Sequence, residues 1–369
     1  MRIAYDHQIF DSQPYGGISR YFYELANGIS LKLQHQAAVI APVYVNRYLK
    51  HRPQSLHVIG VPVPSIRRGG RAYRTINSLL MGCFLAKFDP AIVHETYYST
   101  KRLAPKTSRI VLTIFDMIHE KFSQEFPRLD RTSHSKAVAA ARADHIICIS
   151  KSTQRDVVDI LGVPQAKTSV VYLGSSLNMR TDKTKFTSKK PFLLYVGFRR
   201  GYKNFSALLR AYARSPLLRR EFLLICFGGG EFTDSELRLI SEQKVQKENV
   251  RYMAGNDDLL AMLYASAAAL VYPSLYEGFG MPPLEAMSMG CPVICSDTSS
   301  LPEVVGESAE FFNPLEEDDL AAAIERVVTS DERRQTLIAG GRDRYAKFSW
   351  QRCVEETMAI YESQLGTSN

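Results

Sequence analysis

The chain has 369 residues, 45% of them hydrophobic and 23% charged, with a formal net charge of +8. A length beyond that at which a single core keeps growing implies two domains, and the balanced composition excludes a disordered or low-complexity protein. No run nears the ~20 apolar residues that span a bilayer, and MRIAYDHQIF lacks the apolar core of a signal peptide, so the expected location is the cytoplasm.

The first half opens with a short strand at Arg2–Tyr5, a loop carrying Gly16 and Gly17, and a helix whose apolar positions Ile18, Phe22, Leu25, Ala26 and Ile29 share one face. Strand-like Ala37–Ile40 and His57–Val61 follow, then a helical stretch at Tyr73–Phe88 and strands at Ile92–His94 and Arg109–Phe115. A helix at Ala137–Ala143 leads into the strands His145–Ile149 and Ser169–Tyr172. Between Glu24 and Asp89 there is no acidic residue, while Arg47, Lys50, Arg52, Arg67, Arg68, Arg71 and Arg74 accumulate. That run predicts a positive surface suited to anionic lipid headgroups, phosphate-bearing acceptors or nucleic acid, against the plainer reading of a solvated face.

SSLNMRTDKTKFTSKK, Ser175–Lys190, loses apolar periodicity as an interdomain linker does. A second series then begins, with strands at Phe192–Val196, Phe222–Phe227, Ala268–Tyr272, Pro292–Cys295 and Ala309–Phe312. Helices are expected at Asn204–Arg214, Leu320–Thr329 and Asp331–Tyr345, and Trp350–Leu365 is amphipathic. Strands alternating with helices predict parallel sheets covered on both faces. Five cysteines, Cys83, Cys148, Cys226, Cys291 and Cys295, sit in or beside apolar runs and read as buried reduced thiols; Cys291 and Cys295 lack the second pair a metal site requires.

The loop after the first strand has no G-x-G-x-x-G, which disfavours a dehydrogenase, and the chain contains neither a Walker sequence nor an Asp-x-Asp pair to hold a divalent ion on a diphosphate. Any diphosphate must then be neutralised by protein groups. After Ala268–Tyr272 comes PSLYEGFGMPPLEAMSMG, in which Gly278 and Gly280 permit close backbone approach and Pro282-Pro283 suits a first helical turn. A helix starting there favours an anion, and Glu277 and Glu285 suit hydrogen bonding to sugar hydroxyls, although Glu285 also reads as an acidic residue complementing a helix start.

The segment EGFGMPPLE, together with YGGISRY, TIFDMIHE, ADHIICISKSTQRDV, YVGFRRGYKN, VRYMAGNDDLLAMLYASAAALVYPS and CPVICSDTSSLPEVVG, resembles the retaining glycosyltransferases of family 4 (group 1) over nearly the whole chain. The resemblance implies an α/β protein of GT-B fold, two Rossmann-like domains facing across a cleft. It assigns residues 1–175 to an acceptor domain, 176–190 to a linker and 191–349 to a nucleotide-sugar donor domain, with 350–369 crossing back to the first. Carried over by position, Arg199 and Lys203 grip the donor diphosphate in place of a metal. Gly16 and Gly17 form a loop closing on the phosphates, or else a plain strand-to-helix turn. Glu277 contacts the transferred sugar, the amides of Phe279 and Gly280 lie beside it, Glu285 binds the ribose, and Ser274, Gly278, Met281 and Pro282 line the same wall. Asn256 and Leu259 resemble the lip beside the base, with an N-cap at Asn256 as the alternative.

One departure concerns Phe115, where many relatives carry a histidine before the aspartate. Asp116 then either orients a hydroxyl or caps a turn, and His119 either substitutes for the histidine or is an ordinary surface residue. The resemblance further implies retaining, metal-independent transfer of a hexose, with mannose from GDP-mannose as the leading expectation. The acceptor would be a surface polysaccharide or a lipid-linked oligosaccharide, handled at the inner face of the cell membrane, with neither cofactor nor nucleic acid required. Two rival readings are a GT-B nucleotide-sugar epimerase or hydrolase, which transfers to no acceptor, and a non-catalytic nucleotide-binding module.

Overall fold

The computed structural model describes residues 1–32, 35–66, 69–175, 177 and 186–366. Most of the expected linker, residues 176 and 178–185, lies outside the described residues, as do Arg67 and Arg68 of the basic run. The chain divides into two compact units, Met1–Gly174 with Ser349–Asn369, and Ser175–Phe348.

In the first unit the strands β1 (Arg2–Tyr5), β2 (Gln36–Tyr44), β3 (His57–Pro62), β4 (Ile92–Glu95), β5 (Arg109–Ile114), β6 (His145–Cys148) and β7 (Thr168–Val170) form one sheet in the order β3-β2-β1-β4-β5-β6-β7. Every pairing in it is parallel. The order reverses between β1 and β4, so loops leaving the carboxyl ends of these two neighbours diverge and leave a crevice. β2 runs past the expected Ile40 to Tyr44, but its register with β3 shifts between Ile40 and Val43, where Pro42 has no N–H for the ladder.

The helix expected to start at Ala137 begins at Thr132. Lys136 hides its inner face from an apolar pattern: the side chain is buried, with its ammonium 2.8 Å from Glu120 Oε2. Cys83 also departs from expectation, being exposed on the helix Gly70–Phe88, whereas the other cysteines are buried.

The C-terminal helix Trp350–Gln364 returns to this first unit and packs on the helix Gly17–Ser30, burying Cys353, Val354, Thr357, Met358 and Tyr361. Tyr361 ties it to the sheet, its hydroxyl bonding both Tyr5 of β1, at 3.2 Å, and Nδ1 of His94 on β4. His94 Nε2 meets Thr113 Oγ1 at 2.8 Å, so both ring nitrogens are engaged inside the core.

The second unit holds β8 (Phe192–Val196), β9 (Leu223–Phe227), β10 (Val250–Met253), β11 (Ala269–Tyr272), β12 (Val293–Ser296) and β13 (Glu310–Phe312), in the order β10-β9-β8-β11-β12-β13 and again all parallel. Helices cover both faces, which is why β8 is apolar at every position. Leu193 and Tyr195 enter one core cluster with Leu208, Val271 and Ile324, and Phe192, Leu194 and Val196 enter the other with Leu263, Tyr272 and Met287. β10 was not expected from the sequence; it is an edge strand, and exposed Arg251 interrupts its short apolar run.

Burial holds the His94 imidazole neutral, lowering its pKa from 6.5 to about 3. The folded state therefore binds fewer protons than the unfolded chain between these values, so stability is present above pH 6.5 and lost as pH falls below it. The expected slope from this one group is ~1.4 kcal/mol per pH unit. Urea midpoints measured at pH 7, 6 and 5 should drop more steeply for the native chain than for His94→Asn; equal slopes would refute the assignment.

Candidate functional site

The second sheet reverses its order between β8 and β11, and the chemistry-bearing residues of this unit gather on the loops leaving those strands. After β8 the chain makes a 3-10 turn at Gly201–Lys203 and enters the helix Phe205–Arg214. After β11 the loop runs from Pro273 to Gly280. The amide of Leu275 donates to the carbonyl of Tyr202 at 2.7 Å, binding one loop to the other.

That link sets Lys203 against Glu277, with Nζ 2.7 Å from Oε1, and Nζ also lies 3.2 Å from the Tyr272 hydroxyl. Both charged side chains are largely buried. Burial first, and the carboxylate of Glu277 second, push the Tyr272 pKa well above its ordinary value, so its hydroxyl stays protonated. Glu277 is also fixed through its backbone: its N–H donates to Ser299 Oγ at 2.9 Å, and the Ser300 hydroxyl donates to the carbonyls of Glu277 and Phe279, each at 2.8 Å.

The loop ends at Gly280, whose φ of 108° suits glycine and where a Cβ would lie 2.8 Å from Leu301 Cδ2. The helix Met281–Ser288 starts there with prolines in its first turn, no acidic residue in that turn and no side-chain cap. Its N-terminal end is therefore suited to an anion. Gly278 and Phe279 are buried, and the Phe279 ring packs edge-on to Phe348 at 5.8 Å. Ser274 is buried with a hydroxyl that has no hydrogen-bond partner among the described residues. Met281 and Pro282 are half-buried, as is Glu285, which accepts from the Tyr264 hydroxyl at 3.2 Å.

Arg199 is placed differently from Lys203. Its guanidinium is buried, donating from Nε to Glu236 at 2.8 Å, from Nη1 to Gly228 O at 2.8 Å, and from Nη2 to Gly230 O at 2.7 Å and Glu231 O at 2.8 Å. It also stacks over Phe232, 4.7 Å from the ring centroid. No hydrogen bond or ion pair joins it to Lys203 or Glu277; it braces the turn Gly228–Gly230, in which all three glycines have positive φ. That turn was visible in the sequence only as a glycine run closing a strand. Tyr272, Ser299 and Ser300 gave no signal there, since an aromatic on a strand reads as core and serines after a strand read as a turn.

Asn256 is the N-cap of the helix Asp257–Ser266, its side chain accepting from Leu259 N–H at 3.1 Å. In the first unit Gly16 is the N-cap of the helix Gly17–Ser30, and Gly17 is exposed. Asp116 accepts from the Ile118 amide at 3.0 Å, closing a turn, and its carbonyl accepts from Lys136 Nζ at 2.8 Å. Phe115, where a histidine was expected, is buried against Tyr21 and Phe22, and His119 stacks on Phe126 at 3.9 Å. Among the described residues no group of three or more His, Cys, Asp or Glu side chains is gathered as a metal site would need.

The family model for Glycosyltransferase Family 4 matches residues 15–178, and that for Glycosyl transferases group 1 matches residues 179–344. The chain is 28% identical over 374 residues to O-antigen chain mannosyltransferase B of Escherichia coli, covering 95% of this chain and 96% of that protein. Among solved structures it matches a sucrose-phosphate synthase from Thermosynechococcus elongatus, with TM-score 0.77, 21% identity and full coverage of both chains. It also matches HepE from Anabaena in complex with UDP and glucose, with TM-score 0.74 and 16% identity over 98% of this chain and 100% of that one. These likenesses make the fold GT-B.

Replacing Arg199 by Ala would leave Glu236 and three carbonyls without their donor, a loss of roughly 3–5 kcal/mol in unfolding free energy. Arg199→Lys keeps the charge without the planar fork and should recover only part of it. Chemical denaturation of both variants checks this, and an Arg199→Ala protein as stable as the native chain would remove the bracing role.

Proposed function

Since the chain belongs to the group 1 glycosyltransferases of family 4, we propose that it transfers a hexose from a nucleotide sugar to a surface polysaccharide or lipid-linked oligosaccharide, with retention at the anomeric carbon and without a metal. Mannose from GDP-mannose is the donor we favour, by similarity to the O-antigen chain mannosyltransferase. The observation that carries this reading is the buried Lys203–Glu277 pair at the β8/β11 reversal, beside the uncapped N-terminal end of the helix Met281–Ser288.

Positive potential held in place before reaction stabilises charge that develops on a leaving group. In this proposal Lys203 Nζ and the first-turn amides of the helix Met281–Ser288 take the diphosphate as the bond from anomeric carbon to phosphate oxygen breaks. Glu277 accepts hydrogen bonds from hydroxyls of the transferred sugar, and the unpartnered Ser274 hydroxyl is available on the same loop. Glu285 receives the ribose. The acceptor hydroxyl attacks from the face the diphosphate leaves, and its proton passes to a diphosphate oxygen, so no separate base is assigned. Arg199 acts on the donor through the glycine turn it braces, and Gly16 and Gly17 contribute backbone rather than side chains. An epimerase or hydrolase would use the same donor grip and differ in needing no acceptor.

A panel of nucleotide sugars tested for thermal stabilisation identifies the donor, since a ligand at a hundred times its Kd stabilises by ~2.7 kcal/mol. GDP-mannose should give the largest shift. Glu277→Gln should lower turnover about 10²-fold or more, measured where the variant is still folded, because breaking its buried pair with Lys203 also lowers the unfolding midpoint. Unaltered turnover in that variant sinks the site assignment, and sugar release without any acceptor product would favour the hydrolase.

The same reading places the protein at an anionic membrane surface. No helix among the described residues is long and apolar enough to cross a membrane. The helix Gly70–Phe88 nonetheless exposes Ile76, Leu80 and Leu79, the last 75% accessible, on an element that also carries Arg71 and Arg74. Basic and apolar groups together suit the headgroup region of an anionic bilayer. Binding to vesicles containing phosphatidylglycerol should weaken with added salt and in Arg71→Glu and Leu79→Asn; salt-independent binding, or no binding, would overturn this placement.

A further inference from the structure

Glu277 and Glu285 stand on either side of the start of the helix Met281–Ser288, one in the loop that leads to it and the other within it. A glutamate side chain has several rotatable bonds, so neither backbone alone decides where its carboxylate lies. Lys203 restrains Glu277, but a lysine brings a flexible four-carbon stem of its own. Stiffer partners reach both carboxylates from the core.

Buried tyrosines of the second unit use their hydroxyls in two ways. Tyr195 and Tyr212 donate to the backbone carbonyls of Phe198 and Phe222, the latter at 2.8 Å, which is all that a buried phenol needs. Tyr264 and Tyr272 reach the two glutamates instead. The Tyr264 hydroxyl donates to Glu285 Oε2 at 3.2 Å. The Tyr272 hydroxyl bonds the Glu277 carboxylate and also accepts from Lys203 Nζ at 3.2 Å. Burial, and after it the adjoining carboxylate, hold both phenols well above the ordinary pKa of tyrosine, so each keeps the proton it donates.

The two rings lie in one core cluster, with Leu263, Leu270 and Met287. Tyr264 belongs to the helix Asp257–Ser266, and Tyr272 ends β11, in register with Cys295 of β12. With the backbone held by helix or sheet and the ring packed on all sides, little freedom is left to either phenol. Each hydroxyl is therefore a fixed point that the core presents to the end of a more flexible side chain.

We propose that Tyr264 and Tyr272 are positioning residues for the donor: Tyr272 directs the Glu277 carboxylate at the transferred sugar, and Tyr264 directs that of Glu285 at the ribose. This assignment rests on the donor roles proposed above for the two glutamates. Because the Tyr272 hydroxyl bonds both members of the Lys203–Glu277 pair, it keeps the carboxylate in place when a diphosphate draws the ammonium toward itself.

Tyr272→Phe and Tyr264→Phe each remove one oxygen and keep the ring, and both are assayed below their unfolding midpoints. Tyr272→Phe should lower kcat about tenfold with the KM for the nucleotide sugar little changed, since the sugar carries the reacting centre. Tyr264→Phe should raise that KM about tenfold with kcat little changed, since the ribose is remote from the breaking bond and is held alike in ground and transition states. Isothermal titration with GDP and UDP, each against its dideoxyribose analogue, gives a readout that needs no turnover. The native chain should prefer the ribose form of at least one of the two, and Tyr264→Phe should lose most of that preference. A role in packing alone lowers the unfolding midpoint of both variants and leaves kcat, KM and the ribose preference unchanged; that result overturns the proposal while leaving the transfer reading intact. A native chain that forms no glycoside, yet loses its ribose preference in Tyr264→Phe, refutes the transfer reading and upholds the positioning.

Discussion

The hydrogen bond from Leu275 N–H to Tyr202 O is what makes a site out of two loops. Lys203 and Glu277 are far apart in sequence and leave neighbouring strands whose following segments diverge. Without that backbone link, nothing would compel a long, rotamer-rich lysine to surrender its freedom to one carboxylate in a partly buried setting. With the link, the ammonium rests between the Glu277 carboxylate and the Tyr272 hydroxyl, while Ser299 and Ser300 hold the carboxylate's own backbone from the other side. The pair is therefore organised before any ligand arrives, which is the condition under which a cation stabilises developing negative charge most effectively.

The same economy explains the separate duty of Arg199. Three cations follow β8, Arg199, Arg200 and Lys203, of which Lys203 pairs with Glu277 and Arg200 is exposed; the guanidinium of Arg199 is spread over Glu236 and the carbonyls of a turn in which three consecutive glycines adopt positive φ. A turn of this kind has no side chains with which to stabilise itself. A planar fork with several donors suits it as a lysine ammonium would not. Basic residues close together in sequence thus take different partners according to which neighbouring loop each can reach.

The alternation of apolar runs made two parallel α/β sheets legible, because strands buried on both faces, such as Phe192–Val196, read as continuous hydrophobic segments. What the pattern hid is physically specific. β10 is an edge strand carrying exposed Arg251, β2 continues past a proline that interrupts its ladder, and the helix starting at Thr132 buries a lysine on its inner face. The glutamates and glycines of EGFGMPPLE were legible as a motif. The serines that hold it were not, because a hydroxyl contacting a backbone carbonyl twenty or so residues away leaves no periodic trace. Asn256 could be read two ways, and its geometry as an N-cap accounts for the residue without a ligand.

Buried polar atoms without partners are rare in folded chains and call for an explanation each time they occur. Here the Ser274 hydroxyl sits after β11 and His7 Nε2 after β1, each on a loop leaving a strand at which its sheet reverses order. A reversal is where side chains from two diverging loops face a common space that no helix fills, so polar groups kept dry there retain their hydrogen-bonding capacity for something other than the protein. The imidazole goes further than the hydroxyl. A serine rotates to suit whatever arrives, whereas the His7 ring is held by Asp11, and Asp11 by Asn77, so that the unpaired nitrogen has a defined direction. Asn77 has a second duty, accepting from the N–H of Val43 and donating to its carbonyl just past Pro42, so the side chains that hold the ring also span the break in the ladder of β2.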